Sequence, residues 1–183
     1  EIVFVTCLGS LWDEAEDNED RGLYRTIDGG GTWQKVLSAG SRAGVVEVVI
    51  NPDDPDLLYA GAWQRERRDW SWLPTGPESG VFRSIDGGDT WDRLSNGLPS
   101  GDTGRVGLSI CRSQSDTIYA VTEGNGGGIY RTDDRGASWE LHNTGVGTSH
   151  WYGQVRCDPN DPDRVYVLST QFYVSEDGGE TFR

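Results

Sequence analysis

Apolar and polar positions along this chain fall into short runs that come back in phase. VVEVVINPDDPDLLYAGAW at 45–63 is an apolar run, a Pro/Asp turn, and a second run ending in Tyr and small residues. GQVRCDPNDPDRVYVLST at 153–170 repeats that shape, and RVGLSICRSQSDTIYAVTE at 105–123 repeats it without the prolines. Each predicts a strand, a turn and a strand. A third short strand follows: GLYRT at 22–26, GVFRS at 80–84, GIYRT at 128–132 and FYVS at 172–175. A polar, glycine-rich phrase then turns the chain into a fourth: WQKVL at 33–37, WDRLS at 91–95 and WELHN at 139–143.

The turning phrase is RTIDGGGTW at 25–33, RSIDGGDTW at 83–91, RTDDRGASW at 131–139 and VSEDGGETF at 174–182. Its aspartates, Asp28, Asp86, Asp134 and Asp177, are spaced by 58, 48 and 43 residues. A period of about 40–50 residues is what four-stranded propeller blades require. The pattern predicts an all-β chain: a β-propeller arc of four-stranded antiparallel blades with strands A to D. The units fall at about 1–40, 41–100, 101–147 and 148–183. The first lacks strand A and the last lacks strand D, so both ends carry B and C and cannot merge into one blade. About three and a half to four blades of an incomplete ring are expected. The opening EIVFVTCLG reads as a strand that starts at a cut, so the rest of the same propeller, or another chain, completes the ring.

In each phrase the residue types suit a C–D hairpin. The Asp carboxylate caps backbone N–H groups ahead of it. The glycines tolerate φ > 0. Trp33, Trp91, Trp139 and Phe182 are expected to bury a ring against the blade. Four copies argue against catalytic carboxylates, since one active site does not need a copy per blade. Calcium requires six to eight oxygen ligands, more than one phrase supplies. Asp28, Asp86, Asp134 and Asp177 are therefore read as structural staples, with no metal and no cofactor.

The phrase resembles the Asp-box, or BNR repeat, of sialidases, sortilin-type (VPS10) domains and xyloglucanase-type glycoside hydrolases. The chain as a whole resembles prokaryotic sortilin-like and glycosyl-hydrolase-named BNR repeat proteins. That resemblance implies an exported protein: periplasmic, cell-surface or extracellular. The third copy departs from the pattern at Arg135, where Gly is usual, and its Pro turn is degraded, so a less regular third blade is expected.

Composition agrees with a sheet protein rich in turns. Hydrophobic residues are 34% and Gly numbers 26, while eight Trp and seven Tyr supply the burial that aliphatics do not. A net charge of −14 argues against nucleic acid. No apolar run is long enough for a membrane span, and no signal peptide is visible. Cys7, Cys111 and Cys157 match no zinc spacing. Equivalent places in neighbouring blades are expected to lie beyond the ~4.4–6.8 Å Cα separation of a disulfide. All three cysteines are expected to be reduced and packed.

In a meander the A–B and C–D turns share one end of the blade, and the B–C and D–A loops share the other. Length and unusual chemistry concentrate at the second end, and loops on a rigid scaffold carry most functions. The loop at 63–80 holds Trp63, Arg65, Arg67, Arg68, Trp70 and Trp72. Arg beside Trp is favoured at interface hot spots, and flat rings stack on sugar faces. The rival reading folds Trp70 and Trp72 under their own loop and solvates the arginines or pairs them with the acidic run at 13–20. Trp12, His150, Trp151 and Tyr152 join the binding candidates. The run at 13–20 reads as a solvated loop or a cation site, and His150 as exposed or a general base. Arg42 and Arg105, near strand A starts, are candidates to line a channel, but no sialidase-type constellation or hydrolytic carboxylate pair can be assembled. The expected function is a non-catalytic binding or scaffold module for protein or glycan. The alternative is a fragment of an exported glycoside hydrolase, sialidase- or xyloglucanase-like.

Overall fold

The computed structural model describes residues 1–10, 19–146 and 151–183, and among them there is no helix. Strands β1 (Val3–Cys7), β2 (Gly22–Thr26) and β3 (Gln34–Leu37) form the first sheet. Strands β4 (Ala43–Ile50) and β5 (Leu58–Gln64) begin the second. The hairpin β6 (Glu66–Arg68) and β7 (Ser71–Leu73) interrupts it, and β8 (Gly80–Ser84) and β9 (Asp92–Arg93) complete it. The third sheet is β10 (Thr103–Ile110), β11 (Ile118–Gly124), β12 (Gly128–Thr132) and β13 (Glu140–Asn143). The fourth is β14 (Gln154–Cys157), β15 (Val165–Leu168) and β16 (Phe172–Ser175). All pairings are antiparallel between strands consecutive in the sheet.

The sheets radiate from a common side. The innermost strands touch across sheet boundaries, β4 to β10 and β10 to β14, whereas β3, β9 and β13 touch only their own sheets. This is a β-propeller arc, and its core is divided among the spaces between neighbouring sheets. Leu23, Ala43, Val45 and Phe82 fill the first space. Tyr59, Val106, Leu108, Ile118 and Trp139 fill the second, and Tyr119, Val121, Ile129, Val155 and Val165 the third. At the inner strands the backbones nearly touch. A Cβ on Gly107 would lie 2.5 Å from the Gly153 carbonyl oxygen, and one on Gly44 would lie 2.5 Å from the Leu8 Cα. Only glycine fits such an approach.

That convergence overturns one expectation. Cys111 and Cys157 form a disulfide with Cα atoms 5.3 Å apart. Both sit at the far ends of inner strands, where the radial geometry brings neighbouring blades together instead of separating them. Cys157 N–H also donates to Ser109 Oγ at 3.0 Å, a second tie between the same two sheets. Among the described residues Cys7 is the free cysteine.

The four turning phrases adopt one geometry. A buried hydroxyl, from Thr26, Ser84, Thr132 or Ser175, donates to Oδ1 of the Asp two residues on at 2.7–2.8 Å. The same hydroxyl accepts from the N–H of Gly30, Gly88, Gly136 or Gly179. Each Asp then accepts both the N–H and the hydroxyl of Thr32, Thr90, Ser138 or Thr181. The third copy is as regular as the others. Arg135 takes the left-handed conformation at φ 59°, and its side chain pairs with Asp116 at 2.6 Å. The local cost of a side chain at that φ does not disturb the staple, because the contacts that define it come from residues on either side of Arg135.

The staples also join neighbouring blades. Arg25 on β2 donates to the Gly87 carbonyl and pairs with Asp89 of the next hairpin, and Arg83 on β8 donates to the Arg135 carbonyl. Arg131 on β12 reaches Asp163 at 2.6 Å. In return three of the four hairpin aromatics pack on the preceding sheet: Trp91 beside Phe4, Trp139 beside Tyr59, Phe182 beside Tyr119 and Ile129. Trp33 differs from the buried ring expected of it and is 46% exposed, whereas Trp139 is 5% exposed. No sheet precedes the first among the described residues, so Trp33 has no face to pack against.

The hydrogen bonds hold the staple carboxylates well below their usual range. Asp86, Asp134 and Asp177 are lowered to about 2, first by the hydroxyls of Thr90, Ser138 and Thr181. Asp28 is lowered further, first by the Thr32 N–H. A depressed folded pKa contributes stability above the unfolded value, and that stability is lost as pH falls through the folded one. The denaturation midpoint is expected to hold above about pH 5 and to fall between about pH 4 and 2. Asp86→Asn, Asp134→Asn and Asp177→Asn combined should lower the plateau and flatten that fall in urea titrations. An unchanged acid profile would count against the staple.

Candidate functional site

The loop between β5 and β8 is not a disordered excursion. Its central residues pair as β6 and β7, with Arg67 opposite Trp72 and Arg68 opposite Ser71. Alternation within that hairpin sends Trp72 back over the arc and leaves Trp70, at the turn, 74% exposed. Trp63, at the end of β5, is 1% exposed, and its indole N–H donates to the Pro74 carbonyl at 2.7 Å, closing the base of the loop. Glu78, near the end of the loop, accepts the N–H groups of Arg42 and Ala43 at 2.7 and 2.9 Å.

The rings form a chain. Trp63 meets Trp72 edge to face at 6.3 Å, and Trp72 stacks on Trp151 at 5.8 Å with the planes 1° apart. Trp151 comes from the loop before β14, two sheets away, so a surface spanning the arc is assembled from distant segments. Trp151 and its neighbour Tyr152 are both more than half exposed. Arginines lie over the same rings. The guanidinium carbon of Arg65 is 5.0 Å and that of Arg105 5.7 Å from the Trp63 ring, and that of Arg67 is 5.8 Å from Trp72. Arg68 pairs with Glu66 along its own strand.

Of the residues singled out from sequence, the structure thus joins Trp63, Arg65, Arg67, Trp72 and Trp151 in one cluster. Tyr152 lies beside it in sequence, and Trp70 and Arg68 are exposed on the same hairpin as Trp72. Trp72 folds inward while Trp70 does not, so the two tryptophans of the loop divide between packing and exposure. Trp12, His150 and the acidic residues 13–18 lie outside the described residues. Sequence reasoning did not single out Arg21, which is 6% exposed and donates to the Ser41, Arg42 and Ser10 carbonyls. The available signal was its place directly before β2, at the loop-rich end. Burial lowers the pKa of Arg65, and the charges of Arg21 and Arg105 lower it further. Burial also lowers that of Arg105, opposed by Glu47 and Glu123.

A second concavity of about 630 Å³ runs along the inner strands at the stapled end, lined by Glu47, Val49, Ile50, Pro52, Arg112 and Arg156 among others. Glu47 crosses it, accepting the Leu108 N–H at 2.8 Å and pairing with Arg156 at 3.0 Å, which ties three inner strands together. The Glu47 and Arg156 charges satisfy each other there.

The model of the Sortilin-Vps10 family, described as sortilin, neurotensin receptor 3, matches residues 79–183. A xyloglucanase of a Paenibacillus species is 28% identical over 172 residues, covering 87% of this chain and 15% of that protein. The vacuolar protein sorting/targeting protein 10 of Chaetomium globosum is 35% identical over 86 residues, covering 46% of this chain and 5% of that one. Among solved structures, the GH74 enzyme of Niastella koreensis superposes with a TM-score of 0.66 at 19% identity, covering 92% of this chain and 26% of that chain. The chain therefore spans about a sixth of the length of the curated xyloglucanase and a quarter of the solved enzyme chain. The larger propeller is consistent with the open arc.

Proposed function

The chain belongs to the Sortilin-Vps10 family, and we propose that this arc serves as a non-catalytic binding module for carbohydrate, working through the tryptophan–arginine face opposite the Asp-boxes. The observation that carries this reading is the ring chain Trp63–Trp72–Trp151, which ends in a half-exposed indole whose plane is set by stacking. A rigid flat ring binds a sugar face without first paying for its own ordering. The xyloglucanase relative, named for a polysaccharide substrate, supports glycan over protein as the ligand class. The Cys111–Cys157 disulfide supports an exported protein, since such bonds persist in oxidising compartments.

Calorimetric titration of the complete protein with neutral oligosaccharides tests the reading. Trp151→Ala and Trp70→Ala should each weaken binding roughly tenfold, about 1.4 kcal/mol, with little change in melting temperature because both rings are exposed. Unchanged affinity in both variants would move the site elsewhere. Binding of a protein ligand in place of any glycan would assign the face to a protein partner.

A second reading, glycoside hydrolysis by the complete protein, is favoured by the names of the xyloglucanase relatives. Release of reducing ends from xyloglucan by the full-length protein would establish it, and this arc would then supply a substrate-binding wall.

A further inference from the structure

We propose that Arg65 and Arg105, both over the Trp63 ring, form with the neighbouring Arg21 a seat for an anionic substituent, so that the sugar bound at this face is acidic. The inference rests on the carbohydrate-binding reading above and adds the class of ligand. The three side chains come from three segments: Arg21 just before β2, Arg65 between β5 and β6, and Arg105 on the inner strand β10. Arg65 and Arg105 both lie within 6 Å of the Trp63 ring centre, and their charges act on each other.

Proximity of like charges together with scarce compensation sets this cluster apart. Acidic residues outnumber Lys and Arg by 30 to 16 in the chain, and several arginines elsewhere on the arc find carboxylates. Arg25 pairs with Asp89, Arg131 with Asp163, Arg135 with Asp116 and Arg156 with Glu47. Among the described residues no ion pair joins Arg21, Arg65 or Arg105. Arg21 is held by three neutral carbonyls, which fix its position and leave its charge in place. Glu47 and Glu123 attract Arg105 from a distance, and the Glu47 carboxylate is already engaged by Leu108 N–H and Arg156. The Nε atoms of Arg21, Arg65 and Arg105 are buried without a hydrogen-bond partner.

Partly buried like charges raise one another's energy, and an anion among them relieves that repulsion while gaining charge-assisted hydrogen bonds. Guanidinium groups match the planar carboxylate of a uronate and also accept a sulfate ester. The adjoining Trp72–Trp151 stack places a flat surface beside the charge, as a pyranose ring bearing such a group requires.

The test uses the complete protein and three probes of matched length: a neutral xyloglucan oligosaccharide, an oligogalacturonate and a sulfated dextran oligomer. At low salt one acidic probe should bind at least roughly tenfold tighter than the neutral one, and the preference should shrink as salt rises. Which acidic probe wins distinguishes carboxylate from sulfate. Arg65→Gln and Arg105→Gln should abolish the preference, Arg65→Lys should retain part of it, and Arg183→Gln, on a distant exposed arginine, should change nothing. Thermal melting of each variant separates lost binding from lost folding, and Arg65→Lys keeps the test open if a Gln variant fails to fold. Equal binding of neutral and acidic probes overturns the anion seat and leaves the carbohydrate reading standing. An acidic preference that persists in both Gln variants places the seat elsewhere and also overturns the inference. Binding of no glycan at all removes the carbohydrate reading and the inference together.

Discussion

Trp63→Ala is expected to destabilise the protein by about 3–5 kcal/mol, the range for removing a buried tryptophan, and to abolish binding at the loop-rich face. The indole is almost fully buried, closes the loop base through Pro74, carries Trp72 on its edge, and lies under two guanidinium groups. Removing it opens a cavity and withdraws the support of every other ring in the chain at once. Urea denaturation measures the first effect and calorimetric titration the second. Trp63→Phe separates them: it keeps most of the volume but leaves the Pro74 carbonyl without its donor, so a smaller loss is expected. A drop below about 1 kcal/mol for the alanine variant would mean that the loop collapses to fill the space, and that Trp63 is not what positions the site.

Replacing Cys111 and Cys157 together by serine is expected to cost about 2–4 kcal/mol, in line with disulfides that close loops of similar size. The bond spans 46 residues of sequence and joins the third and fourth sheets at their inner strands. Chemical denaturation with and without reductant provides the measurement: reductant should bring the wild-type protein down to the variant and leave the variant unchanged. Thiol titration of the denatured, unreduced chain gives an independent readout, with one reactive thiol expected, at Cys7. Three reactive thiols would overturn the assignment. Because the fourth sheet has only three strands among the described residues, it depends on this tie more than a complete blade would.

The Asp-box repeat shows what a local motif can carry. Its bonds run between residues two and four positions apart, Thr26 to Asp28 and Asp28 to Thr32, so residue type and spacing determine them almost without context. The strand meander was legible for the same reason, since period-two patterning and turn chemistry are local. Trp33 marks the limit of that legibility: its residue type is that of Trp139, yet its exposure depends on whether a sheet precedes its own. The third staple is more regular than its sequence suggests, because the left-handed Arg135 leaves the contacts around it intact.

The loop at 63–80 could be recognised as chemically unusual from its tryptophans and arginines alone. Which indole faces inward could not, because Trp70 and Trp72 differ only in their place on a hairpin whose register the packing chooses. The same holds for the stack of Trp72 on Trp151, for the gathering of Arg21 with Arg65 and Arg105, and for the disulfide. These contacts join segments tens of residues apart, and their geometry follows from how closely the blades converge at the inner strands. Residue order along the chain thus specified the blades and their staples, whose partners are near neighbours. The angle between blades is a property of the whole arc, and it alone decided which distant side chains meet.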